Sequence, residues 1–131
     1  MILTPNDLQS MLKFTDLAIG CLAFLGAHLL TFYQLNGQFL KTDWFRKNEF
    51  WVAAAGIILS YFYIYGTKYT VSGMNGLLWP ARFIGFSIGM FLYALMINYH
   101  FAEGMNSKTW VSLALCMVLI CIQVFWKTTT T

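Results

Sequence analysis

The chain has 131 residues, of which 59% are apolar and only 10% charged, and its net charge is +3. Soluble domains carry about 25% charged residues, so eight Lys and Arg with five Asp and Glu cannot coat a soluble surface of this size. That argues against a free cytosolic enzyme, a nucleic-acid reader and a disordered linker. The mean hydropathy of +0.63 points instead to an integral membrane protein.

The first segment, MILTPNDLQSMLKF, carries Pro5, Asp7 and a late Lys13, a pattern unlike a secretory signal. Four apolar runs follow, at about Leu17–Leu35, Phe50–Gly66, Phe83–Phe101 and Trp110–Trp126. Each approaches the roughly 20 residues a membrane helix needs. The expected fold is therefore all-α, one domain over residues 1–131 forming an integral membrane bundle of four transmembrane helices. Tyr33, Trp44, Trp51, Tyr65, Tyr69, Trp79, Trp110 and Trp126 stand where the spans end, as aromatic side chains do at membrane interfaces.

The first connector, QLNGQFLKTDWFRKNE, is polar; the second, TKYTVSGMNGLLWP, holds an LLW stretch able to lie flat in the interface; the third, AEGMNSK, reads as a tight turn. Lys13, Lys68, Arg82 and Lys127 fall on one side, and Lys41, Arg46, Lys47 and Lys108 on the other. That balance sets no orientation under the positive-inside rule. It fits either a chance balance or a chain inserting both ways.

At about 100° per residue, each span shows one face of small and polar residues. In span one it is Asp16, Gly20, Ala23, Ala27, Thr31 and Gln34; in span two Glu49, Ala53, Gly56, Ser60, Tyr63 and Thr67; in span three Arg82, Gly85, Gly89, Tyr93 and His100; in span four Ser112, Cys116 and Gln123. Lipid supplies no hydrophobic push between helices, so small residues and inter-helix hydrogen bonds must hold them together. Gly20, Ala23, Ala27, Gly56, Gly85 and Gly89 are the expected packing positions. The GxxxG of GFSIG serves either packing within the chain or a dimer face.

Charges inside a bilayer need partners or a wet cavity. Asp16 and Arg82 both begin spans on one side, which predicts an ion pair, although each side chain reaching separately to headgroups fits as well. Glu49 and His100 meet the same criterion on the other side. His28 lies about two turns inside its span and off the small face. It is open to a packing, proton-relay or haem-ligand reading. Cys21, Cys116 and Cys121 sit in apolar runs without CxxC spacing, which signals neither a disulfide framework nor a metal site. No nucleophile–base pair or phosphate-cradling glycine loop appears; the expectation is no enzyme, no cofactor and no metal.

The stretch from Trp79 to Lys127, with a glycine-bearing helix, the turn HFAEG (Phe101, Glu103) and a final apolar helix, resembles the last two helices of the drug/metabolite transporter superfamily, particularly its small multidrug resistance type. The resemblance implies a four-helix transporter working as an antiparallel, dual-topology homodimer. The family's mid-helix glutamate has no counterpart in span one, where Asp16 is the nearest acid, and its final glycine pair is replaced by Ser112 and Cys116. Under this reading Asp16 is the binding or coupling carboxylate. Tyr63, Trp79 and Tyr93 then form an aromatic wall for a cationic or amphipathic solute. The alternative is a non-catalytic accessory subunit whose faces pack on partner membrane subunits, and a pore-forming oligomer is a third reading. The expected surroundings are membrane lipid and either further copies or partner subunits, with no nucleic acid.

Overall fold

The computed structural model describes residues 2, 4–101 and 103–126. Lys127, which entered the charge comparison, and the terminal threonines lie outside the described residues, as does Ala102 of the HFAEG turn. Helix α1 runs Pro5–Asn36, a short 3-10 turn covers Gly37–Phe39, and α2 is Trp44–Lys47. Helices α3 (Glu49–Ala54) and α4 (Gly56–Gly73) form one rod broken at Ala55, followed by α5 (Leu78–His100) and α6 (Ser107–Phe125). The fold is all-α. Four helical segments (α1 with its 3-10 turn, α3–α4, α5 and α6) are long and apolar enough to cross a membrane.

Thr4 starts α1 through a capping box. Its hydroxyl accepts from the Asp7 amide at 3.2 Å, and the Asp7 carboxylate accepts from the Thr4 amide at 3.2 Å. With 32 residues, α1 is about 48 Å long, beyond the roughly 30 Å hydrocarbon core. Its first turns, carrying Asp7, Gln9, Ser10 and Lys13, therefore project from the bilayer. Helix α4 likewise continues through Thr67–Gly73, seven residues past the apolar run. Helical hydrogen bonding overrides the polar composition that suggested a connector. Asn75 (φ 59°) and Gly76 (φ 81°) turn the chain, with the Gly76 amide donating to the Val71 carbonyl at 2.8 Å. This is a Schellman-type stop. Leu78 and Trp79 open α5 instead of lying as a separate interfacial stretch. Asn106 caps α6 by accepting from the Thr109 amide at 3.0 Å.

Two contacts join α1 to the other helices. Antiparallel α1 and α4 meet in constant register: Leu17 faces Gly73, Gly20 faces Thr70, Phe24 faces Gly66 and Gln34 faces Gly56. A Cβ on Gly20 would lie 2.6 Å from the Thr70 amide nitrogen, and one on Gly73 would lie 2.8 Å from the Leu17 nitrogen. The two backbones thus touch where glycine removes the side chain. The Thr70 side chain is fully buried, and its hydroxyl finds no hydrogen-bond partner among the described residues. It stands where a Cβ on Gly20 would have to go, so glycine is required opposite it.

The second contact joins parallel α1 and α5. Rings at four-residue spacing on α1, Phe24, His28 and Phe32, fit against Gly85, Gly89 and Tyr93, also at four-residue spacing. This is a ridge laid into a groove. Helix α6 packs chiefly on α5, where Ser87 and Cys116 are buried and the Ser87 hydroxyl donates to the Cys116 carbonyl at 3.4 Å.

The expected packing positions fare unevenly. Gly20, Ala27 and Gly85 are buried, while Ala23, Gly56 and Gly89 are half-buried. The face of the second span is corrected. Ala53, Ser60 and Thr67 are exposed, and Leu59, Gly66 and Thr70 are buried in their place. The close approach at Gly20 and Gly73 fixes the rotation of α4 and turns the Gly66–Thr70–Gly73 edge inward.

Candidate functional site

Between α4 and α5, over a floor provided by α1, lies a cavity of about 700 Å³, within the 300–1,000 Å³ range of small-molecule pockets. Phe24 and His28 line it from α1, Tyr63 and Thr67 from α4, and Arg82, Phe86, Met90 and Tyr93 from α5. The Phe24 and His28 rings, seated against Gly85 and Gly89, form its floor.

His28 is its polar centre. Nε2 lies 2.9 Å from the Gly85 carbonyl; a carbonyl only accepts, so Nε2 carries the proton and donates. Gly89 makes this reach possible, because a Cβ there would stand 2.5 Å from the ring's Cε1. Nδ1 lies 3.2 Å from the Tyr63 hydroxyl, and the two rings meet edge to face at 87°. The Tyr63 hydroxyl is 2.9 Å from Thr31 Oγ1, which donates to the Ala27 carbonyl at 2.8 Å.

Counting protons shows what this chain can do. With a neutral ring, Tyr63 donates to Nδ1, and the single Thr31 proton serves two acceptors, Tyr63 and Ala27. With a charged ring, Nδ1 donates to Tyr63, Tyr63 to Thr31 and Thr31 to Ala27, so each bond has its own proton. The network accommodates both states, and the two bonds at the Tyr63 hydroxyl reverse between them. The other ionisable groups lining the cavity are Tyr63, Tyr93 and Arg82, and no carboxylate is among its lining residues.

The expected ion pairs are corrected. Among the described residues the one salt bridge joins Arg46 to Asp43. Asp16 accepts instead from the Ser72 hydroxyl at 2.6 Å, because α4 extends far enough to bring Ser72 beside it. Arg82 is exposed and makes no hydrogen bond or ion pair among the described residues. His100 Nε2 is held 2.8 Å from the Tyr33 hydroxyl, with its ring stacked at 6.0 Å on Phe32. Glu49 is exposed and lines a separate surface cavity with Gln34, Gln38 and Arg46.

The expected aromatic wall divides. Tyr63 and Tyr93 line the cavity, whereas Trp79 is 70% exposed, packs on Phe83 at 6.0 Å and borders a different depression with Gln123 and Trp126. Asp16 does not line the cavity either. His28 and Phe24 do, and the matching four-residue spacings of α1 rings and α5 glycines are the signal in the sequence that points to them. Comparison with protein-family models, with curated proteins and with solved structures finds no match for this chain.

Proposed function

We propose that the protein is a small membrane transporter-like protein that admits an amphipathic solute to the cavity between α4 and α5 and works as a homodimer. The observation that carries this reading is the cavity itself: a ligand-sized space at a helix junction, lined by Phe24, Phe86 and Tyr93, with the hydrogen-bonded His28 and Tyr63 as its polar groups. Mostly apolar walls with a few fixed polar groups are the usual make-up of a small-molecule site. The resemblance of the C-terminal half to the drug/metabolite transporter superfamily supports the same reading.

Within this proposal the coupling role passes from Asp16 to His28. Asp16 is engaged by Ser72 outside the cavity, whereas His28 is the lining residue whose ordinary charge change falls near neutrality. The homodimer rests on the resemblance to the small multidrug resistance type.

Flux of entrapped fluorescent dyes of both charges, ethidium and anilinonaphthalene sulfonate, from protein-containing vesicles tests the proposal. Thr67 is exposed and lines the cavity, so Thr67→Trp fills the space without disturbing the core. Faster release than from protein-free vesicles, lost in Thr67→Trp, is the expected outcome. Equal release with and without protein, or an unaffected variant, overturns it.

A further inference from the structure

We infer that the occupant of this cavity is an amphipathic anion: a single alkyl chain bearing a carboxylate or phosphate head, with the head on Arg82. The inference rests on the reading of the cavity as a solute site and goes beyond it by fixing the charge and shape of the solute.

The amino-acid sequence suggests a cationic or amphipathic solute, but the charge distribution along the cavity opposes a cation. No carboxylate lines the cavity, so a cation would find only the ring faces of Phe24, Tyr63, Phe86 and Tyr93 and would face the full positive charge of Arg82. Arg82 is the formal positive charge on its wall, and the guanidinium has no partner among the described residues. Five donors in a planar fork at the edge of an apolar cavity match the two oxygens of a carboxylate or phosphate. Asp16, the acid that begins the first span on the same side as Arg82, accepts from Ser72 at 2.6 Å and makes no ion pair with Arg82.

Shape adds an independent constraint. On the α5 wall, which runs from Leu78 to Tyr93, Arg82 and Tyr93 lie eleven residues apart, about 16 Å along the helix. Between them the wall presents Phe86 and Met90, flat and pliable apolar groups that suit a flexible hydrocarbon. The polar centre does not oppose a chain, because the Nε2 and Nδ1 of His28 are both satisfied internally by Gly85 and Tyr63. A charge near one end of the wall and an apolar stretch beyond it suit one chain with one acidic head.

Equilibrium binding to the full-length protein in phosphatidylcholine nanodiscs tests this, with protein-free nanodiscs subtracted. The probes share a twelve-carbon chain: radiolabelled dodecanoate and dodecyltrimethylammonium. Dodecanoate should bind, and the cation should not. Arg82→Gln should weaken dodecanoate about ten-fold, the loss of a charge-assisted pair, while Arg82→Lys retains part of the affinity. Thr67→Trp should abolish dodecanoate binding, and helical circular dichroism confirms that each variant is folded. Preferential binding of the cation that Thr67→Trp removes overturns the anion assignment and leaves the solute site standing. Binding of either probe that ignores Thr67→Trp overturns the solute site itself. Loss of dodecanoate binding when phosphatidylglycerol replaces part of the lipid assigns the site to a bilayer lipid and overturns the single-chain occupant.

Discussion

Replacing Gly89 by Ala places a methyl group where the imidazole of His28 now sits. The new Cβ would stand 2.5 Å from Cε1, 2.7 Å from Nδ1 and 2.9 Å from Nε2, well inside van der Waals contact. The ring cannot simply rotate aside, because Gly85 holds it at 2.9 Å and Tyr63 at 3.2 Å. Overpacking of this kind costs about 1–3 kcal/mol. Losing two inter-helix hydrogen bonds adds about 0.6 kcal/mol each on the average measured in membrane bundles. Alanine's better helix propensity returns up to about 1 kcal/mol. The net expectation is a loss of about 1–3 kcal/mol, measured by reversible unfolding in mixed micelles. The decisive arm is the double variant. On a His28→Ala background the clash has no partner, so Gly89→Ala should cost close to nothing, a non-additivity of about 1 kcal/mol or more. Gly104→Ala, where no atom lies within 4 Å, is the neutral control. A Gly89→Ala protein as stable as the parent, or a double variant whose costs simply add, would refute the ring-in-groove account of the α1–α5 contact.

Three further predictions use the same unfolding assay or its helical signal. Gly20→Ala should be more damaging than Gly85→Ala. The first puts a Cβ 2.6 Å from the Thr70 backbone nitrogen, which cannot swing away, and the second meets only the Phe24 ring at 3.1 Å; we expect about 3 kcal/mol against less than about 1 kcal/mol. Tyr63→Phe removes the hydroxyl bridging His28 and Thr31 and should cost about 0.6–1.7 kcal/mol, with no change in helical content. Thr4→Ala deletes the α1 cap and should fray the projecting first turns, costing about 1 kcal/mol and visible as a small loss of helical circular dichroism.

The sequence carried the class of fold because four apolar runs of membrane-spanning length leave little else for a chain of this composition to do. It also carried much of the α1 face: Gly20 and Ala27 are buried where the wheel places them. It did not carry the end of α4. Thr67, Lys68, Ser72 and Gly73 read as connector by hydropathy, yet they continue the helix. That extension decides the fate of Asp16, since a helix stopping at Gly66 would have no Ser72 to offer it. Rotation about the helix axis was the second hidden quantity. A wheel drawn on α4 alone favours Gly56, Ser60 and Thr67, but contact at Gly20 and Gly73 selects Gly66 and Thr70. Pairings such as Tyr33 with His100 depend on the depth and rotation of two helices together and are invisible in either helix alone. The ring ridge of Phe24, His28 and Phe32 was present in the spacing, and became legible only beside the Gly85–Gly89 groove it fills.

The central claim is that α1 packs through one edge, Gly20 against the α4 backbone and the Phe24–His28–Phe32 rings against the α5 glycines, with the side chains of its opposite edge turned to lipid. A nitroxide scan of α1 from Ala18 to Thr31, on a background lacking Cys21, Cys116 and Cys121, reads this directly through oxygen accessibility in a bilayer. The prediction is a profile of helical period with maxima at Ala18, Leu22, Leu25 and Leu29, which are exposed, and minima at Gly20, Phe24 and Ala27, which are buried. A flat profile, or maxima at Gly20 and Ala27, would contradict it.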